Sequence, residues 1–411
     1  MTPVYLTKCF KAVVSLCQWF FLACCVGAIA GVGSAVLLTA LNGATGWREA
    51  HRWAIALLPL AGWVSGWIYD RWGKSVEAGN NLLLEEIHHP TAVIPLRMAP
   101  LILLGTTLTH LFGGSAGREG TALQIAASLA DSLTRVFRLN SSDRQILLMA
   151  SLSGGVASVF GTPLAGTIFG LEVLTIGRIH HGALFPCLMA AMVGDRVTVS
   201  LGLHHTVYRH AASIPVLTPV TLMSAIAAGI MFGWTAMAFV TLTHHITGFF
   251  KSRIVYAPER TAIGGLIVAG IMMTIGTTTY SGLGIATIVR AFEEPLPPWD
   301  FVGKLGLTAL TIGSGFKGGE VTPLFFIGAT LGNALSSVLA LPLPLLAGMG
   351  FVAVFGGAAN TPIAATLMGI ELFGAESGVF MALACVMSYL CSGQAGIYRS
   401  QRQEGSGKHP D

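Results

Sequence analysis

Residues 113–121 read Gly-Gly-Ser-Ala-Gly-Arg-Glu-Gly-Thr, and they lie between two apolar runs, 96–112 and 122–130. An ionisable side chain is costly to bury at such a depth, so Glu119 marks a candidate functional site. The glycines leave the backbone bare where a helix begins, and the free N–H groups of a helix N-terminus attract anions. A carboxylate there fills the anion site or vacates it when protonated. The alternative is a structural Arg118–Glu119 pair that caps a buried helix.

The composition is that of a membrane protein. Of the 411 residues, 53% are hydrophobic and only 10% are charged, with a mean hydropathy of +0.70. Soluble domains carry about 25% charged residues, so we predict an all-α polytopic membrane protein in contact with the lipid bilayer. The net charge of +4 forms no basic stripe, which argues against nucleic acid as a partner. The seven cysteines lack metal-type spacing, and no metal, cofactor or disulfide framework is expected.

The N-terminal apolar run continues past thirty residues without a convincing cleavage site, so it predicts a first membrane helix over 12–42 rather than a signal peptide. Basic residues flank the apolar segments at both ends of the chain, namely Lys8, Lys11, Arg399, Arg402 and Lys408. By the positive-inside rule, both termini are expected in the cytoplasm.

The run 145–178 contains two apparent breaks, at Gly154-Gly155 and at 161–163. Ser142 with Gln145 resembles a capping box at the start of this region. Upstream, Glu85 and Glu86 follow an apolar stretch too short to span a membrane, and we expect them to form a solvated helix end.

An internal repeat organises the chain. Residues 162–172 read TPLAGTIFGLE and residues 361–371 read TPIAATLMGIE, an offset of about 200 residues. The predicted organisation is one transmembrane transport domain over 1–411. Its parts are a first repeat (12–203), a linker (204–216), a second repeat (217–398) and a cytoplasmic tail (399–411). Paired repeats with Gly/Pro-interrupted helices indicate a transport site at the repeat interface.

The counterpart of the Glu119 stretch is 313–323, which reads GSGFKGGEVTP and carries Glu320 at an apparent helix start. Two buried carboxylates in paired positions therefore stand beside candidate anion-binding helix ends. Tyr398 is a further candidate anion ligand, with an interfacial tyrosine as the equal alternative.

These motifs resemble the CLC family of chloride channels and anion/proton antiporters over roughly 12–400. Gly-Arg-Glu-Gly at 117–120 is similar to the family's gating motif, which makes Glu119 the external gate. The stretch 319–323 lies where the family has Gly-Ile-Phe-Ala-Pro, and Tyr398 matches its inner tyrosine. The resemblance implies two inverted structural repeats with broken and re-entrant helices. It also implies a homodimer with helices 163–175 and 362–373 in the interface.

Three departures resemble the fluoride/proton antiporter branch of that family. Thr121 replaces the proline after the gate motif, and Gly79-Asn80-Asn81 stands where chloride members carry Gly-Ser-Gly-Ile-Pro. Glu320 replaces an apolar residue of the second motif. Val173 occupies the place of the internal proton-transfer glutamate of chloride antiporters, which leaves Glu320 as the substitute for proton transfer.

Fluoride suits this set of residues, because a small, strongly hydrated anion needs several good hydrogen-bond donors to replace its water. A neutral, protonated Glu320 is itself a donor, and burial among apolar residues favours that form. The predicted anion-binding residues are Gly117, Gly79, Asn80, Asn81, Glu320, Val321, Thr322 and Tyr398, with Glu119 and Glu320 in gating and proton transfer.

The sequence therefore predicts a secondary active transporter, not an enzyme, that exports fluoride in exchange for protons across a bacterial inner membrane. We expect no cytoplasmic regulatory domain after residue 411, which would be typical of a bacterial transporter. One alternative is a chloride-selective CLC antiporter or a passive anion channel. Another is an intramembrane serine protease built on Ser153 or Ser115, which would need His110 as its base.

Overall fold

The computed structural model describes residues 3–208, 214–403 and 408, with side chains from residue 13 onward. The predicted linker and tail lie partly outside these residues, as do the side chains of Lys8 and Lys11. The regular secondary structure of the described part of the chain is almost entirely helical.

The helices of the first half are α1 Pro3–Ala50, α2 Leu58–Ile68, α3 Asn80–His88, α4 Met98–Leu111, α5 Glu119–Ala130, α6 Ser132–Val136, α7 Ser141–Phe160, α8 Pro163–Glu172 and α9 Leu184–Ser200. Those of the second half are α10 Pro219–Arg253, α11 Ala257–Ile275, α12 Ile285–Ala291, α13 Asp300–Gly313, α14 Val321–Leu335, α15 Leu343–Ala359, α16 Pro362–Phe373 and α17 Gly378–Cys391. Each half begins with a long helix, α1 or α10, followed by a second apolar helix, α2 or α11. A short helix, α3 or α12, then precedes the remaining helices of that half.

Among the described residues, three helices are long and apolar enough to cross a membrane by length and composition: Val13–Ala50, His181–Ser200 and Pro219–Arg253. Other helices, such as α5 and α14, are shorter and begin deep within the protein. Large apolar side chains point outward, including Val220 (63% exposed) and Leu266 (63%), as expected for a surface in contact with lipid.

Helix α1 is longer than the predicted 12–42. Its last turn continues because it has partners there: Arg48 Nη1 donates to the carbonyl oxygen of His110 (2.9 Å), and the ring of Trp47 stacks on His51 with centroids 4.5 Å apart. The Arg48 bond joins the end of α1 to α4, and the Trp47–His51 stack packs the end of α1 against the residue that follows it.

The predicted break at Gly154-Gly155 was wrong, because α7 runs through both residues. The glycines instead allow close helix packing. A methyl group on Gly154 would lie 3.2 Å from the carbonyl oxygen of Ala190, and one on Gly155 would lie 3.2 Å from Leu123. The break at 161–163 is confirmed, since Gly161 ends α7 with φ 72° and Pro163 begins α8.

The cap of α7 also differs from the prediction. The N-cap is Asn140, whose side chain accepts the N–H of Asp143 (2.9 Å), so Ser142 already lies inside the helix. Asparagine at the N-cap satisfies an N–H of the first turn as effectively as the predicted serine would.

The expectation of a solvated helix end was wrong for Glu86, which is buried and paired. Arg144 of α7 donates through Nη1 to Glu86 Oε2 (2.9 Å) and through Nε and Nη2 to both carboxylate oxygens of Asp131 (2.8 and 2.7 Å). The cation joins α3, the α5–α6 junction and α7, a link between segments that are distant in sequence.

The two Thr-Pro-headed helices, α8 and α16, cap each other. The Glu172 carboxylate at the end of α8 accepts the N–H groups of Ile363 (3.0 Å) and Ala364 (2.8 Å) at the start of α16. At the other end, Glu371 accepts the N–H groups of Leu164 (2.9 Å) and Ala165 (2.8 Å). Each carboxylate satisfies N–H groups that would otherwise be unpaired at a helix start.

A short C-terminal strand closes the fold. The strand β2 (Arg402–Gln403) pairs in parallel with β1 (Thr175–Ile176). Beside it, the Gln401 amide donates to the carbonyl oxygens of Val173 (2.9 Å) and Ala359 (2.8 Å). The segment that carries Tyr398 is therefore attached to both repeats.

The reciprocal caps give a stability prediction. Replacing Glu172 by Gln leaves one acceptor oxygen where two charged ones stood. Since hydrogen bonds to charged groups contribute about 1.5–3 kcal/mol, we expect Glu172→Gln and Glu371→Gln each to cost about 1–3 kcal/mol. The measurement is the thermal unfolding midpoint in detergent, which should fall by several degrees. Glu49→Gln, whose side chain is 70% exposed, is the matched control. Unchanged midpoints in both cap variants would contradict the prediction.

Candidate functional site

The two glycine-rich loops meet at the centre of the protein. Gly117 N donates to Gly319 O (2.6 Å), and Gly319 N donates to Gly117 O (2.7 Å). A methyl group on Gly117 would lie 3.0 Å from Gly319 O, so the absence of a side chain is needed for this approach. The pairing places the N-termini of α5 and α14 beside each other.

Glu119 reaches across from α5 to the start of α14. Its Oε2 accepts the N–H of Thr322 (3.0 Å) and the N–H of Arg118 (3.1 Å), and its Oε1 accepts a short hydrogen bond from the Thr322 hydroxyl. Arg118 Nε lies 3.6 Å from Oε1. The side chain is only 2% exposed. Its carboxylate thus occupies the position that an anion would take at the N-terminus of α14.

Neighbours of this carboxylate line two cavities. One, of about 250 Å³, is lined by residues including Asn80, Glu320 and Tyr398, and we call it the Asn80 cavity. The other, of about 670 Å³, is lined by residues including Arg118, Arg48 and Ser281, and we call it the Arg118 cavity. Glu119 lines neither of them. Its neighbours line both: Arg118, whose Nε lies 3.6 Å from Glu119 Oε1, lines the Arg118 cavity, and Tyr398, which lines the Asn80 cavity, lies within electrostatic range of Glu119. We call the position of Glu119 between these neighbours the constriction.

Polar atoms without protein partners face the Asn80 cavity. Asn80 Oδ1 and the Tyr398 hydroxyl are buried, and neither has a hydrogen-bond partner among the described residues. The Asn80 amide also approaches α5, since a methyl group on Gly120 would lie 2.8 Å from Nδ2. Buried polar groups are normally satisfied, so these atoms are available to an ion or to water.

Glu320 is the N-cap residue of α14 and lines the same cavity. The charge of Arg399 lies within electrostatic range of it. The loop pairing also fixes the repeat register. Gly117 opposes Gly319, so Arg118 corresponds to Glu320 and Glu119 to Val321.

The remaining predicted anion ligands take different positions. Gly79 lines the Asn80 cavity and turns into α3 with φ 59°. Asn81 also lines the cavity, but its Oδ1 accepts the N–H of Ser400 (3.1 Å). The side chain of Val321 is buried, and both donors of Thr322 are engaged by Glu119. Asn81 thus holds the C-terminal segment next to the cavity.

Sequence reasoning missed a buried basic group behind the Glu119 loop. Lys304 of α13 is fully buried, and its Nζ donates to the carbonyl oxygens of Tyr280 (3.0 Å) and Gly282 (2.6 Å). Gly282 N donates in turn to Gly114 O (3.0 Å). The sequence could have predicted this group, because Lys304 is a single charged residue within the apolar run of α13. A charge buried at that depth usually has a structural or functional role.

The geometry does not support a serine protease. Ser115 Oγ hydrogen-bonds the Thr308 hydroxyl (2.8 Å), and Ser153 Oγ donates to Thr167 O (3.3 Å). His110 contacts the carbonyl oxygen of Gly117 (3.4 Å). Neither serine is paired with the histidine that was considered as its base.

Comparisons with known proteins agree with this architecture. A family model described as "Voltage gated chloride channel" matches residues 61–393. A chloride/fluoride channel protein of Pseudomonas syringae pv. tomato is 52% identical over 400 residues, which cover 96% of this chain and 88% of the relative. A voltage-gated ClC-type chloride channel, ClcB, of Salmonella typhimurium is 25% identical over 413 residues, covering 93% of this chain and 91% of the relative.

Solved structures confirm the fold. A CLC-type fluoride/proton antiporter superposes with a TM-score of 0.91 at 34% identity, covering 98% of this chain and all of the other. A slow cyanobacterial Cl⁻/H⁺ antiporter gives 0.80 at 20% identity, covering 91% of this chain and 94% of the other, which shows the fold alone. The predicted all-α architecture of two inverted repeats with broken and re-entrant helices is thereby confirmed, and the relatives are channels and transporters rather than enzymes. A family model that matches most of the chain and a relative that shares half of its residues establish that the protein belongs to the voltage-gated chloride channel (CLC) family.

Proposed function

We propose that this protein is a secondary active antiporter that exports fluoride across a bacterial inner membrane in exchange for protons. One observation carries the proposal: a carboxylate, Glu119, occupies the N-terminus of α14 in the constriction between two cavities. Protonation of a carboxylate that fills an anion site controls whether an anion can bind there. Only the charged carboxylate competes with the anion for the N–H groups of the helix end.

The exchange cycle follows from that competition. A proton from the Arg118 cavity neutralises Glu119 and weakens its bonds to the N–H and hydroxyl of Thr322. An anion from the Asn80 cavity then takes these donors. When the anion has left through the Arg118 cavity, Glu119 releases its proton towards the Asn80 cavity and returns to the helix end. One side chain thus couples the two movements.

Glu320 carries the proton between Glu119 and the Asn80 cavity. It corresponds to Arg118 in the repeat register, yet it faces the Asn80 cavity together with Asn80 and Tyr398. Protonated, it donates a hydrogen bond to an entering anion; ionised, it repels that anion. A proton relay through Glu320 takes the place of the internal glutamate that Val173 replaces.

Fluoride is favoured over chloride by the donors near the constriction. Thr322 N, the Thr322 hydroxyl, the Asn80 amide, the Tyr398 hydroxyl and a protonated Glu320 together can replace much of a hydration shell. The P. syringae relative is named a chloride/fluoride channel protein, and the antiporter structure is titled for fluoride and protons.

A passive anion channel is the second candidate function, because the P. syringae relative is named a channel. Proton coupling distinguishes an antiporter from a channel.

The orientation and assembly belong to the same proposal. The proposed orientation has the Asn80 cavity and both termini on the cytoplasmic side. The basic residues that line this cavity, among them Lys251, Arg260 and Arg399, support it by the positive-inside rule. Exposed apolar side chains at the starts of α8 and α16, Leu164 (51%) and Ile363 (47%), support the contact of a homodimer there.

Glu119→Gln and Glu119→Ala should abolish proton coupling while anion flux persists, because neither side chain can exchange a charge at the helix end. The measurement is fluoride efflux from proteoliposomes with simultaneous recording of pH. Glu371→Gln is the control, because Glu371 also caps a helix N-terminus, that of α8, but lines neither cavity. This variant should keep its proton coupling. Proton uptake at the wild-type rate in either Glu119 variant would contradict the gating role.

Asn80→Ala should lower the preference for fluoride over chloride, because it removes an amide donor beside the constriction. Asn81→Ala is the matched control: it loosens Ser400 and should change the transport of both ions alike. Efflux of each ion under identical gradients gives the ratio. An unchanged ratio in Asn80→Ala would mean that the start of α3 is only structural.

Glu320→Gln keeps a hydrogen-bond donor but cannot carry a proton. We expect fluoride to bind with near-normal affinity, measured by isothermal titration calorimetry, while coupled turnover falls to near background. Coupled exchange close to the wild-type rate would return Glu320 to a packing role.

A further inference from the structure

The segment that follows α9 forms part of the wall of the Arg118 cavity, and we call residues 203–208 the wall segment. Three of its residues line this cavity, Leu203, His204 and Thr206. Tyr208 at its end is buried and lies within electrostatic range of Arg118 and Glu119. The position of the wall segment therefore shapes the cavity next to the gating carboxylate.

His205 attaches the wall segment to two helices. Its Nε2 lies 3.0 Å from Asp195 Oδ1 on α9, and its Nδ1 lies 3.2 Å from the carbonyl oxygen of Val159 in the last turn of α7. Val159 itself lines the Arg118 cavity. The imidazole packs on Gly161, where a methyl group would overlap the ring and where φ is 72°, so glycine is needed at this position. We call the two bonds of His205 the His205 clamp.

Both ring nitrogens of His205 face oxygen atoms that accept hydrogen bonds. A carbonyl oxygen and an ionised carboxylate cannot donate, so only the doubly protonated imidazolium makes both bonds of the clamp. If the single N–H of a neutral ring bonds Asp195, the lone pair of Nδ1 faces the lone pairs of the Val159 oxygen. The C-terminus of α7 also favours a positive charge, because its last carbonyl groups have no partner within the helix.

The charged groups around the clamp also favour the imidazolium. Arg196 Nε lies 3.7 Å from Asp195 Oδ2, and its side chain is 83% exposed and therefore well solvated. Glu371, which caps the start of α8, lies within electrostatic range of Asp195. His204 on the wall segment is exposed. Two further basic side chains of the predicted linker lie outside the described residues, Arg209 and His210.

We propose that His205 is a proton-operated positioning residue, whose imidazolium fixes the wall segment on α7 and α9 and whose deprotonation releases that segment from α7. Histidine ordinarily changes its charge between about pH 5 and 8. The bond to Val159 is therefore present when the side of the Arg118 cavity is acidic, and it is lost as the pH there rises. The effect on transport rests on the proposed function, in which protons reach Glu119 from this cavity. The exit path is then fully formed when protons are available to drive export.

Amide hydrogen exchange of the wall segment measures the clamp in the detergent-solubilised protein between about pH 5.5 and 8.5. After correction for intrinsic exchange, we expect the protection of residues 203–208 to fall as pH rises, by up to about tenfold per pH unit for one linked proton. His205→Gln cannot take up a proton, so its protection should not vary with pH. Asp195→Asn keeps the shape and removes the charge that favours the imidazolium, so the loss of protection should occur at lower pH.

The matched control is His204→Gln, which changes the neighbouring, exposed histidine that lines the cavity. It should keep the wild-type pH dependence. Fluoride efflux from proteoliposomes measures the effect on transport, with the pH raised equally on both sides so that the proton gradient stays constant. The ratio of the wild-type rate to the His205→Gln rate should exceed one at acidic pH and fall towards one as pH rises, because the wild type then loses its clamp as well.

Wild-type protection that is constant over this pH range, or an equal pH dependence in His205→Gln, would overturn the clamp. Because the wild type alone shows the slope, this result does not depend on the folding of any variant. A rate ratio that does not change with pH would overturn the role of His205 in transport. Wild-type fluoride efflux without proton uptake would contradict the proposed antiport and leave the protection measurement standing.

Discussion

Helices that begin inside a membrane need acceptors for their first N–H groups, because no water reaches them there. In this protein carboxylates supply those acceptors at three helix starts. Glu119 accepts from the start of α14, Glu172 from the start of α16, and Glu371 from the start of α8. Glu119 and Glu172 reach into the second half and Glu371 reaches back into the first. Satisfying these backbone groups therefore also joins the repeats, because each carboxylate belongs to one half and its N–H donors at the helix start to the other.

The repeats are similar in backbone and different in chemistry. Gly113 and Gly315 both turn with positive φ, and Gly117 pairs with Gly319. Within that shared frame the acid occupies adjacent positions, Glu119 in the first loop and Glu320 in the second. One carboxylate consequently fills the constriction, while the other lines the Asn80 cavity. A symmetric scaffold thus presents two acids in different surroundings, as the proposed sequential proton transfer requires.

Much of this was predictable because burial of charge is rare enough to be informative. Glu119, Glu320 and the Thr-Pro repeats stood out as polar features in apolar sequence. The wrong predictions concerned residues whose burial and packing depend on partners that are distant in sequence. Glu86 looked solvated because its partner Arg144 lies 58 residues away, and Gly154-Gly155 looked like a break because the neighbour that needs the space, Ala190, is on another helix. Asn81 shared a motif with Asn80, but only the fold shows that it contacts Ser400.

The three capping carboxylates differ in whether they can leave. Glu172 and Glu371 each bind two backbone N–H groups between packed helices, and neither lines a described cavity. Displacing them would leave N–H groups at a helix start without an acceptor, which is costly unless another group replaces the carboxylate. Glu119 holds the same kind of helix end, but its neighbours line two cavities, and in the proposed cycle an anion that enters from one of them accepts from the same donors. In the proposed mechanism the same capping interaction is permanent at two helix starts and exchangeable at the third, and access to a replacement anion is then the physical difference between a structural cap and a gate.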